Sequence, residues 1–359
     1  MNGPPLVAPM IAEGVTGNPL GAGVRPEHIL VVRLHAFGDA VIALPLLAAL
    51  RRRFPSVRIG FVTSALYADL FREVRGIDDI HAVATTGSKP VRAVAALRLA
   101  RLRGSVSLLL DIQRSRQSEM IRSAVRPRAW AAFDRFAPRT ALDRYLDAAE
   151  SAGLGRLLPE FSVTLRRPEA ALSQAEREFM AFAAERTGPV VCLNPAGCWP
   201  TKNWPPEYYT ALGSRMIAEW GARLVLLGTE NVRAGASVLA ERLRGPVLNL
   251  VGRTTIADAL RIVQRLNLMV SDDSGLMHLA WISGVPTVAM FGASRSSWSR
   301  PYGAHTYCFG SEDLPCGACM SAVCGREDLL CLRRVDPDTV FHRSALLLGA
   351  HSGGSLRSV

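Results

Sequence analysis

Seven short apolar runs alternate with amphipathic segments along the chain, and this alternation constrains the fold more than any other feature. The runs are "ILVVRL" from Ile29, "VRIGFVT" from Val57, "VSLLLDI" from Val106, "VVCLNP" from Val190, "ARLVLLG" from Ala222, "LNLMVSD" from Leu266 and "VPTVAMFG" from Val285. Continuous apolar strands separated by helices are typical of a parallel sheet that is covered on both faces. The sequence therefore predicts an α/β protein with doubly wound sheets.

This pattern occurs twice, on either side of the helical segment "ALSQAEREFMAFAAER". We expect four parts: a tail over 1–26, a Rossmann-like domain over 27–187, a second over 188–336, and a C-terminal helix and tail over 337–359. Ligands of such sheets bind at the carboxyl ends of the strands, so we expect the main site in a cleft between the two domains.

The chain is basic, with 42 lysines and arginines against 31 acidic residues and a formal net charge of +11. This charge favours anionic partners, although an arginine-rich composition and solubility explain it equally well. No nucleic-acid-binding motif supports a nucleic-acid partner. Since no signal peptide or membrane-spanning segment can be recognised, we expect a cytoplasmic protein.

An anion site is predicted in "SDDSGLMHLAWISG", which overlaps the end of an apolar strand. Ser274 is expected to cap a helix, and Gly275 leaves its first turn open, so that backbone N–H groups face an anion such as a diphosphate. Asp273 would repel a phosphate and is expected to hold backbone N–H groups or a sugar hydroxyl. The alternative is an ordinary capped helix preceded by two loop acids.

Two further residues follow neighbouring apolar runs. Lys202 lies in the stiff loop "NPAGCWPTKNWPPEYY", where it would contact phosphate oxygens, or be a solvated charge beside core tryptophans. Glu230 ends "LVLLGTEN" at a point where an acid can accept both hydroxyls of a ribose, although a loop glutamate is often only solvated.

The segment "LHAFGDAVIALPLLAALRRR" places Asp39 at the mouth of a helix after the first apolar run. The chain has no GxGxxG after that run, no GxxxxGK[ST] and no GxSxG, which counts against nicotinamide oxidoreductases, P-loop NTPases and α/β-hydrolases. A diphosphate cradle in one half and an acid in the other suit glycosyl transfer, in which the acid takes a proton from an acceptor hydroxyl. A helix N-cap is the alternative role for Asp39.

Three of these segments together resemble the bacterial glycosyltransferases of the heptosyltransferase type, family 9. "LHAFGDAVIALPLLAALRRRFP" is similar to the family's N-terminal motif, "NPAGCWPTKNWPPEYY" to its Trp-Pro-x-Lys loop, and "VSDDSGLMHLAWISGVPTVAMFGAS" to its donor-binding signature. The resemblance runs from about Ile29 to Val340. It implies a GT-B fold and an inverting transfer that needs no metal, typically from ADP-heptose to the inner core of lipopolysaccharide.

The resemblance also implies roles for individual residues. Asp39 matches the proposed general base, Lys202 the lysine on the donor diphosphate, and Glu230 the ribose contact. The residues that match the loop and helix start holding the heptose and phosphates are Asp273, Ser274, Gly275, Leu276 and His278. Cys198 stands where relatives often have Ser or Thr, which would remove or weaken a phosphate hydrogen bond.

On the acceptor side, "DIQRSRQSEMIRSAVRPR" resembles the family's strand and helix. Arg114, Arg116 and Arg122 are expected to meet acceptor phosphates, a solvated basic helix face being the alternative. His35 and Phe37 occupy a turn where the family often has small residues, so the acceptor shape near Asp39 is expected to differ.

Four cysteines lie close together in "CGACMSAVCGREDLLC", at positions 316, 319, 324 and 331. Cys316, Cys319, Cys324 and Cys331 would suit a closed structural zinc site, although the second pair lacks CxxC spacing. Reduced, packed thiols and disulfides are the alternatives. No role in catalysis is expected for them.

Two other functions keep the same fold. One is transfer from a different nucleotide sugar to a secreted glycan or a natural product, and the other is a non-catalytic sugar-nucleotide binder. For the leading interpretation the expected partners are ADP-heptose and a phosphorylated glycolipid or glycan. A lipid acceptor would imply peripheral contact of the basic N-terminal domain with the inner membrane.

Overall fold

The computed structural model describes residues 15–166, 172–185, 188–195, 197 and 199–351. The chain divides into two compact units between residues 167 and 168. Each unit is built around one six-stranded sheet. The α/β class and the seven strands predicted from apolar runs are confirmed, since each run coincides with a strand.

The first unit contains six strands and six α-helices in its described part. The strands are β1 (Thr16–Asn18), β2 (His28–Val32), β3 (Arg58–Ser64), β4 (Asp79–Val83), β5 (Leu108–Asp111) and β6 (Ala129–Ala132). The helices are α1 (Phe37–Ile42), α2 (Leu44–Arg53), α3 (Ala68–Glu73), α4 (Lys89–Leu97), α5 (Arg116–Val125) and α6 (Ala141–Ala149). A 3-10 turn over Arg98–Leu102 extends α4, and a π-helical turn over Glu150–Leu154 follows α6.

The second unit repeats this architecture. Its strands are β7 (Val190–Asn194), β8 (Arg223–Leu226), β9 (Val247–Asn249), β10 (Leu268–Asp272), β11 (Thr287–Met290) and β12 (Thr306–Phe309). Its helices are α7 (Gln174–Ala184), α8 (Pro206–Trp220), α9 (Arg233–Arg242), α10 (Ile256–Val263), α11 (Gly275–Ile282), α12 (Ser296–Ser299), α13 (Leu330–Arg333) and α14 (Pro337–His351).

Both sheets are doubly wound. The strand order is β1-β6-β5-β2-β3-β4 in the first and β12-β11-β10-β7-β8-β9 in the second, and every pair is parallel except the antiparallel pair of β1 with β6. The chain reverses its direction of winding between β2 and β5, and again between β7 and β10. In such sheets the loops at a reversal diverge and leave a crevice at the carboxyl ends of the two strands.

Apolar side chains cover both faces of the second sheet. Val191 and Leu193 of β7 point into a core with α8 and α14, whereas Val190 and Cys192 point into a core with α7, α10 and α11. Because both faces are buried, these strands contain hardly any polar residue until their carboxyl ends. The polar residues at those ends are therefore candidates for function.

Three predicted boundaries differ from the structure. The division falls at 167/168 and not at 187/188, because Ala175 and Phe179 of α7 are buried in the core of the second sheet. The predicted tail over 1–26 includes β1, which pairs with β6. The segment predicted as a separate C-terminal part begins with α14, whose Val340 and Phe341 belong to the second core.

No helix in the described ranges has both the length and the hydropathy that crossing a bilayer requires.

Candidate functional site

The winding reversal of the second sheet brings together the residues predicted to bind a donor. Ser271 of β10 lies beside Asn194 of β7 in the parallel register. The Asn194 amide, which is fully buried, donates to the Ser271 hydroxyl at 2.9 Å and to the Ser274 hydroxyl at 2.7 Å. This amide therefore joins the ends of both strands to the start of α11.

Ser274 is the N-cap of α11, as predicted. Its hydroxyl accepts the backbone N–H of Met277 at 3.2 Å, and Gly275 is the first helical residue. The N–H groups in the first turn of a helix have no partners within the helix and carry a partial positive charge. The start of α11 is thus a place at which an anion is stabilised.

Lys202 lies at the same edge of the sheet. Its Nζ is 2.6 Å from Asp273 Oδ2, and the two side chains are only 14% and 9% exposed. The ammonium also lies 4.9 Å from the centre of the Trp199 ring. The predicted phosphate lysine and the predicted loop acid are therefore an ion pair next to the N-cap of α11, and Lys202 is not a solvated charge.

The loop that carries Lys202 is fixed at several points. Trp204 is fully buried, its backbone N–H donates to Asp272 Oδ1 at 2.9 Å, and its indole N–H donates to the Val335 carbonyl at 2.8 Å. A Cβ on Gly197 would lie 2.7 Å from the Cβ of Lys202, so a glycine is required where the loop folds back. Burial raises the pKa of Asp272 well above its usual range, against the hydrogen bonds it accepts.

The remaining predicted donor residues differ in burial and in their hydrogen-bond or ion-pair partners. His278 is buried in α11, where its Nδ1 accepts the indole N–H of Trp281 at 3.0 Å. Glu230 follows β8 and forms an exposed ion pair with Arg233 at 2.5 Å. Leu276 lies in the first turn of α11 and is half-buried. Cys198 lies outside the described residues.

At the reversal of the first sheet, Asp39 forms an ion pair with Arg33. The distance from Asp39 Oδ2 to the Arg33 guanidinium is 2.5 Å, and the same oxygen accepts the backbone N–H of Ala36 at 3.3 Å. Asp39 is the third residue of α1 and Ala36 is the N-cap, so Asp39 is not itself the N-cap residue. Its carboxylate does cap the start of the helix, because it accepts the backbone N–H of Ala36. The Asp39 side chain is 33% exposed and the Arg33 side chain 9%.

Buried polar groups hold the loop between β2 and α1. The Gln113 side-chain oxygen accepts the backbone N–H groups of Leu34 and His35 at 2.9 and 3.1 Å, and the Tyr67 hydroxyl donates to the Leu34 carbonyl. Arg33 donates to the Ile112 carbonyl at 2.5 Å. Burial raises the pKa of Tyr67 to about 12, so this hydroxyl remains a donor at neutral pH. Asp39 is thus held at a fixed position at the carboxyl ends of β2 and β5.

The three predicted acceptor arginines are not equivalent. Arg114 donates to the Phe133 carbonyl at 2.9 Å, and Arg122 stacks 3.6 Å from the centre of the Trp130 ring. Arg116, the first residue of α5, is exposed. Of the three, only Arg116 is exposed to solvent.

The four clustered cysteines form no metal site in the structure. All four are described, and no group of three or more His, Cys, Asp or Glu in the described ranges could hold a metal ion. Cys316 and Cys319 are exposed thiols on a surface segment, whereas Cys331 packs beside the second core. Burial raises the pKa of Cys331, while backbone N–H groups of Leu329 and Arg326 lower that of Cys324. The zinc alternative is therefore not supported, and the described cysteines are free thiols.

Sequence reasoning missed Asn194, Arg33 and Gln113. Each is a polar residue at or just after the carboxyl end of a strand, and this position could have marked it as a candidate site residue. Each acts indirectly, by holding neighbouring residues in place. Asp272 is one of the two acids that precede the capped helix. It is fully buried and anchors the Lys202 loop through the backbone N–H of Trp204.

Comparison with known proteins agrees with the fold. A solved glycosyltransferase family 9 protein from Veillonella parvula superimposes with a TM-score of 0.74 at 19% identity, covering 90% of this chain and 97% of that one. The Escherichia coli ADP-heptose lps heptosyltransferase II superimposes with a TM-score of 0.66 at 20% identity, covering 90% and 99%. Two Rossmann-like units of this kind define the GT-B class of fold.

The sequence identifies the family within that class. The model of glycosyltransferase family 9 (heptosyltransferase) matches residues 126–329, more than half of the chain, and the chain belongs to this family. Lipopolysaccharide heptosyltransferase 2 of Salmonella typhimurium is 29% identical over 167 residues, which are 45% of this chain and 48% of that protein. The chain thus spans about half the length of the curated relatives it matches.

Proposed function

We propose that this protein is a glycosyltransferase that moves heptose from ADP-heptose to a hydroxyl of the lipopolysaccharide inner core, with inversion and without a metal. Family membership and the heptosyltransferase activity of its relatives support the reaction class. The observation that carries the proposal is the Lys202–Asp273 ion pair beside the N-cap of α11. Once a diphosphate takes the place of Asp273, the Lys202 ammonium and the N–H groups of the first turn of α11 would stabilise its negative charge as it departs.

In this proposal the second unit binds the donor. The diphosphate replaces Asp273 as the partner of Lys202 and accepts N–H groups from the first turn of α11. Asp273 then accepts a hydroxyl of the sugar. Glu230 turns from Arg233 towards the ribose, which is possible because that ion pair is exposed and therefore weak.

The first unit binds the acceptor. The acceptor hydroxyl gives its proton to Asp39 while its oxygen attacks the anomeric carbon of the heptose. The bond from that carbon to the diphosphate oxygen breaks, and its electron pair leaves with ADP. The ion pair with the Arg33 guanidinium, 2.5 Å away, holds the Asp39 carboxylate in place.

A lipid-anchored acceptor places the reaction at a membrane surface. We infer a cytoplasmic protein that contacts the inner membrane peripherally, with Arg116 as the first candidate for an acceptor phosphate. The basic charge of the chain, +11, is suited to both tasks.

The test compares Asp39→Asn with Asp69→Asn, a control acid in the same unit whose side chain is 91% exposed. We expect Asp39→Asn to lower kcat at least about a thousandfold, because general-base catalysis is lost, and to change the dissociation constant of ADP-heptose less than about twofold. Transfer is followed by ADP release and by the mass of the product. Turnover of Asp39→Asn at the rate of the Asp69→Asn control would overturn the assignment of Asp39.

A further inference from the structure

Helix α4 presents an apolar stripe to solvent. Val91, Val94 and Leu97 are 50%, 51% and 57% exposed, and their spacing of three residues places them along one side of the helix. The opposite side is used by the fold, since Ala96 and Leu99 are buried in a core with Ile121 and Val125 of α5. The stripe is therefore a surface that the described part of the chain leaves uncovered.

Basic residues surround this stripe. Between Asp79 and Asp111 the sequence has five basic residues and no acidic residue: Lys89, Arg92, Arg98, Arg101 and Arg103. Lys89, Arg98 and Arg101 are exposed. Exposed apolar side chains flanked by lysine and arginine are typical of helices that lie in the headgroup layer of an anionic membrane.

The same helix packs against α5, the helix that begins with Arg116. A partner bound to α4 would therefore lie beside the helix that carries Arg116, one of the predicted acceptor residues.

We propose that residues 89–101 form a membrane-docking face, with Val91, Val94 and Leu97 entering the acyl boundary of an anionic phospholipid layer and Lys89, Arg98 and Arg101 binding its headgroups. Charge complementarity and the central apolar stripe favour a lipid surface over an acidic protein. This proposal rests on the proposed function, because the role of the docking face is to hold the enzyme at the membrane that contains its acceptor. The binding of lipid itself can be measured separately.

The test is co-flotation of the full-length protein with vesicles of phosphatidylcholine, with or without about a third of phosphatidylglycerol. We expect binding that requires the anionic lipid. Val91→Ser/Val94→Ser/Leu97→Ser should lower the partition coefficient about tenfold or more, and Arg98→Gln/Arg101→Gln about twentyfold. The controls are Val238→Ser/Leu346→Ser, apolar residues exposed elsewhere, and Arg326→Gln/Arg333→Gln.

Several results would overturn the docking face. Wild-type protein that does not float with anionic vesicles would do so, as would α4 variants that bind like their controls. Loss of binding in the arginine variant but not in the serine variant, together with binding to soluble polyglutamate, would indicate an acidic protein as the partner. Circular dichroism and thermal melting establish that each variant is folded.

The failure of this proposal can be distinguished from failure of the proposed function. If the docking face is correct and the proposed activity is wrong, the protein floats with vesicles through α4 but releases no ADP from ADP-heptose. If the activity is correct and the docking face is wrong, the protein transfers sugar to a detergent-solubilised acceptor but does not bind vesicles.

Discussion

Lys202 and Lys89 are the only two lysines in the sequence, and they occupy very different surroundings. Lys89 is exposed at the start of α4, whereas Lys202 is mostly buried against Asp273 and Trp199. Placing an ammonium in a partly desolvated position costs free energy that one ion pair offsets only in part. Under the proposed function, the donor diphosphate is the ligand that makes use of this charge.

We expect Lys202→Met to weaken ADP-heptose binding about tenfold to hundredfold, because a charge-assisted hydrogen bond to phosphate is lost. Lys89→Met is the matched control and should bind the donor like the wild-type protein. Calorimetric titration measures both dissociation constants. Equal donor affinity of the two variants would show that Lys202 is a structural residue.

Individual site residues could be predicted when they had a chemistry of their own. Lys202, Asp273 and Ser274 were assigned from the sequence, and the structure brings them together. Asn194 and Gln113 could not be assigned, because a buried amide leaves no periodic pattern and its partners are distant in sequence. Asn194, for example, bonds to Ser274, 80 residues away.

Strands in the middle of each sheet were all found by sequence, and those near the edges were missed. The interior strands β2 and β7 are buried along their whole length, so they are continuous apolar runs. Strands β4, β9 and β12 lie at edges and are partly exposed, and β6 is a short alanine-rich strand covered by β1. Partial exposure of the edge strands interrupts the continuous apolar run on which the prediction depends.

Helix α11 has a capping residue whose contribution can be separated from that of the site. Ser274→Ala removes a cap that bonds to Met277, and Thr255→Ala removes a comparable cap, which bonds to Asp258 at 3.2 Å, from α10 in the same unit. Both variants should lose about 1 kcal/mol in the free energy of unfolding. Only Ser274→Ala should also weaken donor binding, because α11 is the helix proposed to bind the donor diphosphate.

Chemical denaturation and donor titration of the two cap variants provide this comparison. Weaker donor binding in both variants would mean that the loss follows from general destabilisation of the second unit.

The stability of the protein as a whole should depend on two buried histidines in the first sheet. His28 of β2 and His81 of β4 are buried on either side of Gly60, and Nε2 of His81 has no hydrogen-bond partner among the described residues. Burial lowers the pKa of both imidazoles below 6.5. The folded state therefore holds them neutral.

Stability should fall as the pH drops below about 6.5, because the unfolded chain then binds protons that the folded chain does not. The loss ends below the lowered pKa values, where both states are protonated. We expect the thermal midpoint to fall by about 3 °C or more between about pH 7.5 and pH 5.5. His28→Gln/His81→Gln should flatten this dependence, and the exposed His342→Gln should not.

A pH profile of the double variant that runs parallel to that of the wild-type protein would contradict this explanation.

The proposed function depends on the assignment of the second unit as a nucleotide-sugar site. The measurement that tests this most directly is calorimetric titration of the full chain with ADP-heptose, ADP, GDP and UDP in the presence of a metal chelator. We predict binding of ADP-heptose and ADP that is at least about tenfold tighter than binding of GDP or UDP. Absence of binding, or a preference for GDP or UDP, would contradict the assignment of the second unit as an ADP-heptose site.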